Sequence, residues 1–472
     1  MATDTSTTII KYTSNYLKGR KAYTQYNQYT SKKRIIRTGV PQGGVLSPSL
    51  FNLYLSDMPI PTNANCSVIS YADDITPLSS HQNINTAQTQ LQPYLDTLAN
   101  WCKDNQLTLN PDKCTATLFT QDPSELNTTL NLQIHGVTLP TTSNPKILGL
   151  TFDKKLTFGE HINLAVTKAK KTTNILKAIS TRQWGKQKET ILTTYKAITR
   201  PILEYACTIW GPIASDTNIN KLETVQNTAL RIATGCTQGT RTQHLQQETS
   251  TLPINNHIQL HSSLYRLKSQ HPHHPSYPLT QQPPCHRHLK QTIFDNTNGY
   301  TINYPTDLNP PSDLDLKQRS KEIHTLVVLQ HTKSQEPNKI LGEIAPPIHE
   351  SETTLPRNTR CILAQLRNGK SPILYTYLNK INPQKYPSPL CPLCSTQPHD
   401  TKHLFQCAMR SPPNSLHLTF GLTPQKPPNS SPPGWKTCRN LSDASEEGRT
   451  YTVLPRAKEE EEEDVSSLGF KI

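Results

Sequence analysis

The spacing of apolar positions changes near residue 159, and the change divides the chain. Before it, short apolar runs sit among turn residues; after it, apolar residues recur at helical spacing as far as Gly235. In the first part, Ile9, Tyr12, Tyr16 and Leu17 fall on one helical face, and Gly19 supplies a C-terminal stop. KAYTQYNQYTSKKRIIRTGV then reads as extended pieces with a basic turn. LSPSLFNLYLSDMP predicts a helix N-capped by Ser47, with Pro48 in its first turn and Phe51, Tyr54, Leu55 and Met58 as its apolar stripe. Leu91, Tyr94, Leu95, Leu98, Trp101 and Cys102 predict a longer amphipathic helix, bent at Pro93. TATLFT alternates as a strand does, LQIHGVTL reads as a hairpin turning at His135–Gly136, and KILGLTF as another extended run. This mixture predicts an α+β fold, a sheet with helices on one face.

The second part predicts three long helices, HINLAVTKAKKTTNILKAI, ETILTTYKAITRPILEYACTIWG and NKLETVQNTALRIATG. Lys168, Lys170, Lys171 and Lys177 lie around the polar side of the first, where a solvated face is the ordinary explanation. Residues 270–315, with HPHHPSYP and PPCHRHLK, read as a linker because their histidines are too irregularly spaced for a metal set. Order returns at LPRNTRCILAQLRNG and YTYLNKI, and the last sixty residues, through KEEEEEDVSS, read as disordered.

Composition narrows the classes. Only 33% of the residues are hydrophobic and 39 are proline, so part of the chain is not expected to pack. A formal charge of +14 favours a polyanionic partner such as nucleic acid. No charged-then-apolar leader pattern and no apolar run of membrane-spanning length is present, so the expectation is an intracellular protein, nuclear or cytoplasmic, neither secreted nor membrane-bound. Eleven cysteines in that setting read as free thiols or metal ligands.

Three stretches carry candidate chemistry. In VISYADDITPL, Asp73 and Asp74 interrupt an apolar run, although adjacent like charges repel and resist burial. A surface Asp-Asp turn is the commoner meaning of an isolated pair. At a hairpin tip, however, both carboxylates can reach one Mg²⁺, which binds one or two carboxylates plus substrate phosphates. In GVPQGGVLSP, Gly43 and Gly44 allow either an ordinary turn or close approach of the backbone to a flat group. In CPLCSTQPHDTKHLFQC, Cys391, Cys394, His403 and Cys407 have the spacing of a structural zinc site. His403 and Cys407 are one helical turn apart, and His399 is the competing ligand.

The ordered series RTGVPQGGVLSPSLFNLYLSDMP, YADD, LTLNPDKC and ILGLTFDKKLTFGEHI, continued by ITRPILEYACTIWG and LETVQNTALRIATG, resembles the reverse transcriptase of non-LTR (LINE-type) retrotransposons of the Jockey-like group. The resemblance covers the chain to about residue 410 and implies a right-hand polymerase palm followed by a helical thumb. It implies that Asp73 is the main palm metal ligand, with Asp74 beside it and Tyr71 near the incoming nucleotide or primer end. Gln42, Gly43 and Gly44 would pack under the templating pair and the incoming dNTP. Lys113 would assist departure of pyrophosphate, LGLTFD would grip the primer backbone, and the four lysines would track phosphates. The implied reaction is RNA-directed DNA synthesis on a DNA primer with two Mg²⁺ ions, with one Zn²⁺ in a terminal knuckle.

One feature departs from the pattern. A further metal-binding Asp, on an AFD-like strand, is expected upstream of MATDTSTTIIKYTSNYLKGR, and Asp4 lacks the strand context to replace it. The expectation is therefore an N-terminally truncated copy, inactive alone. Its predicted organisation is partial palm 1–160, thumb 161–245, helical or linker region 246–390, knuckle 391–410 and tail 411–472. The alternative is a nucleic-acid-binding remnant without catalysis.

Overall fold

The computed structural model describes residues 6–181, 185–280, 313–338, 340 and 350–409. Among them, one unit ends at Pro145 and a second begins at Lys146.

In the first unit, α1 (Thr7–Leu17) starts where the Ser6 hydroxyl accepts from the Thr8 backbone N–H, and it ends before Gly19, whose φ is +64°. Strands β1 (Lys21–Ala22), β2 (Gln25–Tyr26), β3 (Tyr29–Thr30) and β4 (Arg34–Ile35) form two nested hairpins, β2 on β3 inside β1 on β4. Helix α2 (Ser47–Tyr54) follows. Ser47 is its first helical residue rather than its cap, because the Ser47 hydroxyl donates to the Pro41 carbonyl instead of serving the helix N–H groups. The long hairpin of β5 (Cys66–Tyr71) and β6 (Asp74–Ser79) pairs Cys66 with Ser79 through to Tyr71 with Asp74.

Helix α3 (Ile84–Asp104), N-capped by Asn83, runs through Pro93. Its Leu91, Tyr94, Leu95, Leu98, Ala99 and Cys102 form the core of this unit with Cys66 and Ile75 of the hairpin and with Leu132 and Ile134. The hairpin β7 (Gln133–Ile134) and β8 (Val137–Thr138) turns at His135 and Gly136, both at positive φ, as the primed turns of tight hairpins require.

The expected sheet is not formed among the described residues: the strands remain five separate antiparallel pairs. Four of those pairs have two-residue strands, too short to build a shared apolar face. TATLFT is irregular apart from a bridge between Ala116 and Thr141. KILGLTF is not one strand but a hairpin, β9 (Lys146–Ile147) on β10 (Leu150–Thr151), because Leu148 and Gly149 both take positive φ.

The second unit is helical beyond that hairpin. Helix α4 (Gly159–Ala178) packs against α8 (Asp216–Thr234), which closes on Gly235 at φ +69°. Between them lie α5 (Lys188–Thr194), a π-helical turn at Tyr195–Thr199, α6 (Arg200–Glu204) and α7 (Cys207–Trp210). The single helix expected here is broken twice. Pro201 cannot donate to the preceding turn, which widens to a π turn, and Ala206 at φ +53° ends the next segment. Leu203, Cys207 and Trp210 still bury against α4, α8 and Ile258.

Helices α9 (Thr242–Thr249), α10 (Ile254–Ser269), α11 (Tyr277–Thr280) and α12 (Asp313–Lys333) continue the unit, with α12 packed on α10. The linker reading therefore stops short of α12, whose Ile323, Val327 and Val328 bury against Leu260 and Leu267. Helices α13 (Arg357–Arg367), α14 (Tyr375–Ile381) and α15 (Thr401–Gln406) follow. The Arg357 guanidinium donates to the carbonyls of Ser180, Ile232 and Ala233, tying α13 to the ends of α4 and α8. The stretch PPCHRHLK and the expected tail lie outside the described residues.

Candidate functional site

The acidic hairpin is built as its sequence demands. Cross-strand partners share a face, so Cys66, Val68 and Ile75 turn toward α3, while Ile69, Tyr71, Thr76 and Asp74 occupy the opposite face. Ile75 is fully buried, whereas Ile69 is 59% and Tyr71 66% exposed. The turn consists of Ala72 and Asp73, with Ala72 at φ +52°. Positive φ at the first position is what a two-residue hairpin turn of the II′ type requires, so the tight turn accounts for it. Asp73 is exposed at the tip and Asp74 half-buried beside it. Tyr71, Asp73 and Asp74 thus gather at one end of one hairpin, and two carboxylates there can ligate a hard divalent cation while the tyrosine face remains open.

The other predicted residues of this unit lie on separate loops. Gln42, Gly43 and Gly44 precede α2, with Gly43 at φ +81°. A Cβ on Gly44 would stand 2.5 Å from Tyr16 Oη and 2.7 Å from Ser47 Oγ, so a close packing contact inside the protein already requires that glycine. Lys113 ends a short 3₁₀ turn, Pro111–Lys113, with its side chain exposed.

In the helical unit, Lys168, Lys170, Lys171 and Lys177 are all exposed on α4, spread around the polar side left by the buried stripe of Ile162, Ala165, Val166, Ala169, Thr173 and Leu176. At about 100° per residue, Lys170 and Lys177 align two turns apart along one edge of the polar side, Lys171 points away from the buried stripe, and Lys168 lies along the other edge.

The Cys391, Cys394, His403 and Cys407 cluster forms as its spacing predicts, each residue offering a ligand atom within 4.8 Å of the others. Cys391 Sγ lies 4.0 Å from Cys407 Sγ, and Cys394 Sγ lies 3.2 Å from His403 Nε2. Bonds of about 2.3 Å to sulfur and 2.0 Å to nitrogen in a tetrahedron set ligand separations of about 3.5–3.8 Å, so these residues fit zinc. Hydrogen bonds from the Thr396 side chain and from the Thr396 and Gln397 backbone pull the Cys394 thiol down to about 6, toward the thiolate a metal needs. Burial opposes the same shift at Cys391, but the backbone N–H groups of Cys394 and Leu393 outweigh it.

His399 is committed elsewhere. Its Nδ1 accepts from the Tyr375 backbone N–H at 3.1 Å and its carbonyl from the Thr376 hydroxyl at 2.9 Å. Asp400 was missed in the sequence: its carboxylate accepts from the His403 N–H at 2.8 Å, capping the turn that presents the histidine. The signal was there, an Asp three residues before the ligand at a helix start.

Among the described residues no helix is long and apolar enough to cross a membrane. Residues 2–152 match the family model described as reverse transcriptase (RNA-dependent DNA polymerase). The chain is 33% identical over 265 residues to the probable RNA-directed DNA polymerase from transposon BS of Drosophila melanogaster, which covers 54% of this chain and 29% of that protein. It is 29% identical over 255 residues to the probable RNA-directed DNA polymerase from transposon X-element of the same fly, covering 53% of this chain and 28% of that one. The RNA-directed DNA polymerase from mobile element jockey, also of Drosophila melanogaster, is 28% identical over 261 residues, 52% of this chain and 27% of its own length. The chain thus spans less than a third of the length of these relatives. No solved structure matches it.

Proposed function

We propose that the chain, whose residues 2–152 match the reverse transcriptase family model and half of which is similar to RNA-directed DNA polymerases of Drosophila transposons, supplies part of an RNA-directed DNA polymerase: a partial palm, a helical thumb and a zinc knuckle. The carrying observation is the β5–β6 hairpin, which holds Tyr71, Asp73 and Asp74 together at an open end.

In this reading, Mg²⁺ bound by the two aspartates would neutralise nucleotide phosphates and stabilise the attacking and leaving oxygens of nucleotidyl transfer. Asp73 and Asp74 hold one side of that site. Tyr71, the cross-strand partner of Asp74, offers its ring to the incoming nucleotide or primer end. Gln42 and the Gly43–Gly44 turn support the base pair, and Lys113 delivers positive charge to the departing pyrophosphate. Among the described residues before the hairpin, Asp57 is the only carboxylate that could serve the opposite side, and it is exposed beyond the end of α2. The 472-residue chain alone is therefore proposed to bind template and primer without extending them.

The α4 lysines then serve as a track for the phosphate backbone. Binding of an RNA–DNA hybrid by the whole chain should weaken steeply as salt rises. Replacing Lys168, Lys170, Lys171 and Lys177 together with glutamine should reduce that log–log slope by about 0.7–0.9 for each lysine in phosphate contact. An unchanged slope returns the lysines to an ordinary solvated face. A second reading, binding without catalysis in any context, is favoured only by the missing opposite carboxylate.

A further inference from the structure

Among the described residues outside the hairpin and the cysteine cluster, one group of side chains has the composition of a metal site. His257 and His261 are four residues apart on α10, so their rings lie one above the other on the same face. Glu204, the last residue of α6, directs its carboxylate at both: Oε1 lies 3.7 Å from His257 Nδ1 and Oε2 lies 3.6 Å from His261 Nε2. One ligand atom from each of the three falls within 4.8 Å of the others.

These separations are informative. They exceed hydrogen-bonding distance, so the imidazoles do not satisfy the carboxylate. Yet a tetrahedral ion with bonds of about 2.0–2.2 Å sets its ligand atoms about 3.3–3.6 Å apart, close to what is observed. Glu204 Oε1 is buried and has no hydrogen-bond donor among the described residues, although a buried carboxylate oxygen ordinarily has one.

The geometry points to Glu204, His257 and His261 as ligands of a divalent transition-metal ion of the zinc class, pinning α6 to α10. Two imidazoles and one carboxylate suit such an ion better than Mg²⁺ or Ca²⁺, which prefer oxygen alone. Arg200 is the residue that weighs against a cation, with Nε 3.7 Å from Glu204 Oε2. At that distance it does not hydrogen-bond the carboxylate, and its charge offsets that of Glu204, so binding rests on the ligand bonds from the two imidazoles and the carboxylate rather than on net charge. The ion has a route in, since the His261 side chain is 44% exposed while His257 and Glu204 are nearly covered. This inference does not depend on the polymerase reading, and its ligands share no residue with the cysteine cluster.

The test uses the full chain carrying Cys391→Ser and Cys394→Ser, which removes the thiolate site, and titrates it with Co²⁺ at about pH 7.5, where ordinary imidazoles are neutral. One Co²⁺ should bind, with a visible d–d spectrum lacking thiolate charge transfer. Adding Glu204→Gln, or His261→Ala at its half-exposed position, should weaken that binding more than about tenfold with unchanged helical circular dichroism. His271→Ala, outside the site, should leave it intact. Absence of Co²⁺ binding at micromolar concentration would overturn the assignment. So would binding that Glu204→Gln and His261→Ala both leave unaltered, since the ion would then lie among the chain's other histidines.

Discussion

Glu248 is a fully buried charge in the helical unit, and two cationic residues distant in sequence make it tolerable. Its carboxylate meets Arg367 at 2.7 Å and Lys188 at 3.2 Å, while Arg367 also pairs with Glu352 at 2.8 Å. Burial disfavours the charge, but Arg367 and Lys188 outweigh it and hold the carboxyl below its ordinary value of 4.5. A group depressed on folding contributes stability that is present above its unfolded pKa and lost as pH falls through its folded one. Glu248→Gln should therefore flatten the acid limb of the stability profile below about pH 4.5. At neutral pH it should cost about 3–5 kcal/mol, because Arg367 and Lys188 keep buried charge without their shared partner. Urea unfolding followed by helical circular dichroism checks both, and a neutral-pH midpoint equal to the parent's would refute the network. No spacing rule connects residues 188, 248, 352 and 367, so this cluster was invisible in the sequence. Asp73 and Asp74 were visible because two adjacent charges contradict the apolar run around them.

At the scale of elements, legibility followed periodicity. Helices α3, α4 and α8 could be read because a long stripe of apolar residues fixes both the helix and its buried side. Failures came where one residue overrides its neighbours' pattern. Leu148 takes positive φ and folds KILGLTF into a hairpin, and Pro201 and Ala206 break a helix whose apolar spacing runs on unbroken. Helix α12 escaped notice because proline- and histidine-rich sequence before it masked the Ile323, Val327 and Val328 stripe. The cysteine cluster was legible from spacing alone, and it distinguishes two histidines. Cys394→Ser should abolish zinc binding by a peptide or chain spanning the cluster. His399→Ala should keep one equivalent of zinc while lowering stability by about 1–3 kcal/mol, the cost of leaving the Tyr375 N–H without its acceptor. Metal content after dialysis separates them; loss of zinc in His399→Ala with retention in His403→Ala would reverse the ligand assignment.

At the scale of the whole molecule, a basic chain carries an acidic hairpin in one unit and the lysine-bearing α4 in the other. That division suits an enzyme whose catalytic metals sit in one body and whose grip on the nucleic acid extends over more. Ile69 and Tyr71, apolar and exposed beside the carboxylates, are what a hairpin facing a primer end rather than a core would present. Two-metal chemistry needs carboxylates on both sides of the ions, and in the proposed function Asp73 and Asp74 supply one of them. The most direct test is RNA-templated dNTP incorporation with Mg²⁺. It should be measured for the 472-residue chain and for the same chain joined to an upstream polymerase segment that bears the opposite strand carboxylate. The chain alone should incorporate nothing, and the joined chain should extend the primer and lose that activity on Asp73→Ala. Extension that survives Asp73→Ala in either protein would contradict the account.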